Sequence, residues 1–197
     1  MNIEYIEKNT DIKVEYHETI CSTNERAKEI AEETLERKKL DLDRQFEKIQ
    51  VVVAENQTNG KGTNGRVWFS EYKENILMTM IFYPQNSISE LQKITYLIAE
   101  MIKAAIQDLY NIPLEIKLPN DLLLNGKKIC GILTESSIQN DKVNYLLIGI
   151  GFNVNQINFP YEIVDMATSL KKENKEKEFL REEIMVKIIN NIKSLIK

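Results

Sequence analysis

An α+β domain is what this sequence predicts, with a mixed, largely antiparallel sheet and helices packed against it. Three observations predict it. Apolar, β-branched runs recur at residues 49–54, 76–83, 128–136 and 143–151, as buried strands require. Three stretches outside these runs, at 27–35, 89–110 and 179–196, carry apolar residues at helical spacing. Asn125-Gly126 stands between two extended runs as a tight hairpin turn, which joins antiparallel neighbours.

Residues 13–20 (KVEYHETI) alternate as a strand does, and Ser22-Thr23-Asn24 then offers helix-capping side chains ahead of Ala27, Ile30, Ala31 and Leu35. The charged stretch 36–48 carries the helix end and a surface connection. Residues 49–54 (IQVVVA) form a buried strand, a loop rich in Gly, Asn and Thr follows, and 76–83 (ILMTMIFY) resume the sheet. Residues 89–110 carry a helical pattern, and 114–118 are extended up to Pro119, whose ring disfavours helix in the residue before it. Residues 121–124, 128–136 and 143–151 then pair as antiparallel neighbours. From 175 to 197, Phe179, Ile184, Val186, Ile188, Ile189, Ile192 and Ile196 lie among charges, the pattern of a closing amphipathic helix. With no repeat and no internal boundary, residues 1–197 read as one domain.

Composition narrows the function. A net charge of −4 gives no basic footprint for DNA. Cys21 and Cys130 form no Cys-x-x-Cys pair and have no His at ligand spacing, so a reduced, cytoplasmic protein without structural zinc is expected. No run of apolar residues is long enough to span a bilayer, and no membrane partner is expected.

Three segments carry chemistry. Residues 57–68, Q-T-N-G-K-G-T-N-G-R-V-W, hold three glycines in six positions between two strands. Such a backbone approaches a ligand closely and turns N–H groups toward an anion, with Lys61 and Arg66 as added cations. The same composition also suits a hairpin with solvated charges, and its spacing is neither a Walker loop nor a dinucleotide fingerprint. Lys117 closes a strand immediately before Pro119-Asn120-Asp121; a lysine there neutralises a carboxylate or phosphate oxygen, or simply points into water. Gly149-Ile150-Gly151-Phe152-Asn153 ends a strand with glycines that permit close approach and an amide suited to an adenine edge.

Taken in order, S-T-N, Q-T-x-G-x-G-x-x-G-R-x-W, K-x-P-N-D, G-I-L-T-E and I-G-x-G-x-N-V-N resemble the catalytic domain of biotin protein ligases along almost the whole chain. The resemblance implies a biotin–lipoate ligase catalytic fold, similar to class II aminoacyl-tRNA synthetases. It also implies an ATP-dependent reaction through biotinyl-5'-AMP, with Mg2+, that transfers biotin to a lysine of the biotin carrier domain of a carboxylase. Lys61 and Thr63 stand where the family pattern has arginines, and Leu118 where it has tryptophan. Lysine lacks arginine's planar fork, so these departures bear on retention of the adenylate more than on fold. Relatives continue into a small β-barrel, and the regulatory ones begin with a helix-turn-helix domain; neither is expected within 1–197.

By resemblance, Ser22, Thr23, Asn24, Gln57, Gly60, Lys61, Lys117 and Gly131 bind biotin, while Gly62, Gly65, Arg66, Trp68, Lys117, Asn120 and Asn153 bind ATP and the adenylate. Lys117, Arg66 and Lys61 act in the chemistry; no metal ligand is assigned, and the oligomeric state is open. His17, Cys130 and Asp121 have bland readings, as a structural or exposed histidine, a core thiol and a turn former, and Cys21 is expected to be a small buried residue. Two rival functions stand beside this one: a lipoate or octanoate ligase or transferase, and a non-catalytic biotin-binding protein. A general nucleotide-binding module leaves Ser22-Thr23-Asn24 and Gln57 unexplained.

Overall fold

The structure, a computed structural model, describes residues 1–40, 49–84, 93–140 and 142–195. Its elements run α1 (Ile3–Thr10), β1 (Val14–His17), α2 (Thr23–Lys39), β2 (Ile49–Ala54), a single 3-10 turn (Thr63–Gly65), β3 (Ile76–Phe82) and α3 (Ile94–Tyr110). Then follow β4 (Glu115–Lys117), β5 (Asp121–Leu124), β6 (Lys127–Gln139), β7 (Lys142–Phe152), the one-turn α4 (Leu170–Glu173) and α5 (Arg181–Leu195). The surface connection expected at 41–48, the start of the helical pattern at 89–92 and the chain end at 196–197 lie outside the described residues.

Among the described residues, seven strands form one sheet in the order β1-β2-β3-β7-β6-β5-β4. Among these seven strands β1 and β2, joined by α2, run parallel and the other five pairings are antiparallel, so the predicted class holds. The β5–β6 turn has Asn125 at φ 51° and Gly126 at φ 76°, both left-handed, as a two-residue type I′ hairpin demands.

Strand periodicity decides what each face meets. Ile76, Met78, Met80 and Phe82 of β3, with Leu146, Ile148, Ile150 and Phe152 of β7, point into the main core, where α3, α5 and α1 cover them. The alternate residues Val52, Ile81, Tyr145 and Leu147 meet Ala27 and Ala31 of α2 on the other face. Past Ala27 the same face continues through Thr79 and Gly149 beneath the first turn of α2, and then through Gly151 and Gly131 beneath the Trp68 ring. That continuation positions the site.

Two helices were not expected. α1 is fixed by tertiary contacts: Asn2 caps Tyr5 N–H at 3.0 Å, and Asn2 N–H donates to Glu182 of α5. α4 is one turn capped by Ser169, which accepts from Lys172 N–H. The closing helix starts at Arg181, later than the pattern from 175, since Lys175 and Glu176 both have positive φ. Among the described residues no helix is long and apolar enough to cross a membrane.

Candidate active site

The pocket lies where the N-terminus of α2 meets the β6–β7 ladder, beneath the glycine loop, and encloses about 430 Å³ that is partly open to solvent. Of the residues expected at the site, Ser22, Thr23, Asn24, Gln57, Lys61, Gly62, Trp68, Asn120 and Gly131 line it. They come from four separate segments.

At one end stands a polar cluster with little exposure, Ser22 at 1%, Thr23 at 3% and Asn24 at 5%. Ser22 occupies the N-cap of α2, yet its hydroxyl caps nothing. Instead Gln57 Oε1 accepts from Thr23 N–H at 2.7 Å and from Thr23 Oγ1 at 3.1 Å. Thr79 Oγ1 donates toward Asn24 Oδ1 at 2.7 Å, and Asn24 Nδ2 donates to Glu135 at 2.7 Å. Asn24 fits because Gly149 lies opposite: a Cβ there would stand 2.1 Å from Asn24 Oδ1. The Ser22 hydroxyl stays buried and unpartnered at the positive end of a 17-residue helix, ready to meet a polar ligand atom.

The floor is the paired backbone of Gly131 and Gly151, on which the Trp68 indole rests. A Cβ on Gly151 would stand 2.4 Å from Trp68 Cε2, and one on Gly131 2.8 Å from Cζ3. Trp68 N–H donates to Gly60 O at 2.8 Å, which fixes the indole's stem, while its Nε1 is buried without a partner. Asn64 (φ 57°) and Gly65 (φ 73°) turn the loop tip back through the left-handed region.

Charge at the site differs from the expectation. Lys61 Nζ pairs with Glu25 Oε1 at 2.7 Å, an ion pair that raises the lysine's pKa and lowers the carboxyl's. Arg66 and Lys117 are exposed, line no part of the pocket and form no ion pair among the described residues. Lys128, which sequence reasoning passed over, does line it. Its Nζ lies 2.7 Å from Asp121 Oδ1 and 5.4 Å from the centre of the Trp68 ring. A lysine within a strand reads as solvated; the pairing of Lys128 with Leu123 beside a register shift in β5 is what no local signal reveals.

Gly60, Gly65 and Asn153 also lie outside the pocket lining. Asn153 is buried, its Nδ2 donating to Thr168 O at 3.0 Å and its Oδ1 without a partner, so a free acceptor remains there. Asp121 follows the turn at 118–120 as the first residue of β5 and is half-buried, so it is a strand residue and not the turn former expected. Cys130 is core, and burial pushes its thiol pKa up. Cys21 is exposed, contrary to expectation, because its side chain faces Glu25; the hydrogen bond to that carboxylate raises its pKa and disfavours thiolate. His17 is half-buried and pairs with Glu15 at 2.8 Å.

Comparison with known proteins places this geometry. The biotin/lipoate A/B protein ligase family model matches residues 25–153. The bifunctional ligase/repressor BirA of Bacillus subtilis (strain 168) is 38% identical over 164 residues, 82% of this chain and 47% of that protein. A biotin–[acetyl-CoA-carboxylase] ligase of Paracoccus denitrificans is 34% identical over 109 residues, 52% of this chain and 43% of that protein. The chain thus spans about half the length, or less, of these curated relatives. Among solved structures, the biotin protein ligase from Aquifex aeolicus in complex with biotin and ATP superposes with a TM-score of 0.74 at 26% identity, covering 93% of this chain and 70% of that one.

Proposed function

This chain belongs to the biotin/lipoate A/B protein ligase family, and on that footing we propose that it activates biotin with ATP and transfers it to a lysine of a biotin carrier domain, in the cytoplasm. One observation carries the reading: a single pocket joins a buried polar end, a glycine floor under an indole, and cations.

In this reading the ureido head of biotin meets Ser22, Thr23 and Gln57, where the unpartnered Ser22 hydroxyl gains a hydrogen bond. The carboxylate then lies toward Lys61 and Lys128. ATP lies along Gly62 to Arg66, with Trp68 against the base, Asn120 beside it, and the free Asn153 Oδ1 as acceptor for an exocyclic amine. Lys117 and Arg66 approach from the rim. Magnesium comes as part of the substrate, held by phosphate oxygens and water. Among the described residues no three His, Cys, Asp or Glu side chains gather as a metal site.

The chemistry asks mainly for charge and orientation. A carboxylate oxygen attacks the α-phosphorus, the bond from that phosphorus to the bridging oxygen breaks, and pyrophosphate leaves with the electron pair. Two anions must meet, so cations and oriented donors supply most of the protein's contribution. The acceptor lysine's neutral amine then attacks the acyl carbon, the bond to the phosphate oxygen breaks, AMP departs, and the amine's proton passes to solvent.

The test is incubation of purified protein with biotin, ATP and magnesium, with and without a biotin carrier domain, following pyrophosphate release and carrier mass. The expected result is a mass gain of one biotinyl group that falls in Lys117→Ala. Transfer of lipoate but not biotin would favour the lipoate ligase, and biotin binding without pyrophosphate release would favour a binding protein. The tethering of Lys61 to Glu25 is the observation that keeps this last alternative in play.

A further inference from the structure

We propose that Glu173 is a positioning residue for the choice of base: through Thr168 it locks the Asn153 amide with its oxygen toward the nucleotide, so that the site takes a purine with a 6-amino group and turns away one with a 6-oxo group. The inference rests on the ligase reading above. Its starting point is the carbonyl of Thr168. A carbonyl oxygen can only accept, so the Asn153 atom that lies 3.0 Å from Thr168 O is the amide nitrogen, and Oδ1 is turned the other way. That oxygen is buried and has no partner of its own. Phe152 points into the main core, so strand alternation sets residue 153 on the opposite face, which carries Gly149 and Gly151 and on which Trp68 rests.

Thr168 is itself held on several sides. Its N–H donates to Lys128 O at 2.9 Å, and its Oγ1 donates to Glu173 Oε1 at 2.6 Å. The second oxygen of Glu173 accepts from Asn125 Nδ2 at 2.7 Å, so one carboxylate ties Thr168 to the tip of the β5–β6 hairpin. Leu170 N–H returns to Asn153 O at 3.3 Å and completes the connection between the two segments. The hydrogen bond from Thr168, joined by that from Asn125, outweighs partial burial and holds the Glu173 pKa below the usual carboxylate range. The group is therefore ionised at neutral pH and acts only as an acceptor. An amide free to turn over would serve either purine, offering its oxygen to a 6-amine or its NH2 to a 6-oxo oxygen. A locked amide sets acceptor against acceptor when the 6-oxo purine enters, and that mismatch is what separates the two.

The experiment is biotin-dependent pyrophosphate exchange with the whole chain, run with ATP and with inosine triphosphate, which carries an oxygen in place of the 6-amine, alongside thermal melts. The unsubstituted chain is expected to prefer ATP in kcat/KM by at least about a hundredfold. Glu173→Ala and Thr168→Val are expected to cut that preference by about tenfold, the weight of one oriented hydrogen bond, through KM more than kcat. Glu173→Gln, whose amide oxygen still accepts from Thr168, should keep the preference within about twofold. In an Asn153→Ala background, Glu173→Ala should change it by less than about twofold, because Glu173 acts through Asn153. Melts identify any variant that fails to fold. Glu173 is only half-buried, so its variants carry the test should Thr168→Val, at a fully buried position, melt early. An equal loss with both nucleotides in Glu173→Ala, leaving their ratio unchanged, would mark a merely structural role; it would overturn the inference and leave the ligase reading standing. Equal use of both nucleotides by the unsubstituted chain would do the same. No exchange with ATP by the unsubstituted chain would remove both.

Discussion

Lys61 of the glycine loop lies 2.7 Å from Glu25 in the first turn of α2, so the loop carries a cation whose charge is already matched before any anion arrives. Both side chains are partly exposed, at 44% and 39%, so the pair is worth no more than about 1 kcal/mol. Glu25→Gln should therefore lower the KM for ATP by no more than about fivefold, and the difference should shrink at high salt, where surface charges are screened. Steady-state kinetics at two ionic strengths checks this; a rise in KM would show that the pair holds the loop in its working position.

Gly151→Ala should dislodge Trp68, because the added methyl would stand 2.4 Å from the indole. Trp68 is the only tryptophan, so the emission spectrum reports this site alone. A red shift of emission with loss of adenylate formation is expected. An unchanged spectrum would mean that the floor yields instead.

Thr79→Val removes the hydroxyl that bonds to Asn24 and lies 2.9 Å from Thr23 Oγ1, leaving buried acceptors unsatisfied. A stability loss of about 1–3 kcal/mol is expected, read as a drop in melting temperature of roughly 2–4 °C per kcal/mol. Biotin affinity should fall with it, measurable by calorimetry, since Thr23 and Asn24 would lose their fixed positions.

Glu55 is fully buried with Arg181, whose guanidinium donates to it at 2.6 Å, and with the Met1 ammonium at 3.1 Å. Burial pushes the carboxyl's pKa up, but these two cations outweigh it and hold the pKa below the usual carboxylate range. A group with a lowered folded-state pKa contributes stability above its unfolded pKa and loses it as pH falls through the folded one. Melting temperature should thus hold above the ordinary carboxylate range and decline below it. Glu55→Gln should cost about 3–5 kcal/mol at neutral pH, because it leaves Arg181 buried without its counter-charge, and should flatten the acid decline seen in pH-dependent melts.

The strands were legible because their periodicity is local: β2 was expected at the residues it occupies, and β6 and β7 differ from expectation only at their ends. α1 was not legible, since eight residues barely sustain a helix alone and this one is held by Glu182 and the α5 face. At the site, residue types recurring in order pointed to Ser22, Gln57 and Trp68. Glu25 and Lys128 escaped notice because each matters through a partner distant in sequence, Lys61 for one and the pocket itself for the other. Lys117 was singled out by its neighbours in the chain, yet the exposed end of β4 carries it outside the lining.

The place of β7 between β3 and β6 also sets the order in which the molecule can be made. Residues 76–82 pair on one side with the earlier β2, but find their second partner only at 146–152, some seventy positions later, so a large loop must close before that pairing forms. Gly149 and Gly151 ride on this last-arriving strand. During synthesis the glycine loop, the polar cluster of α2 and β2 all emerge first, with no surface yet to lie on. A nascent chain short of residue 152 therefore has no complete pocket, and a ligand can stabilise the protein only once the central strand is in place.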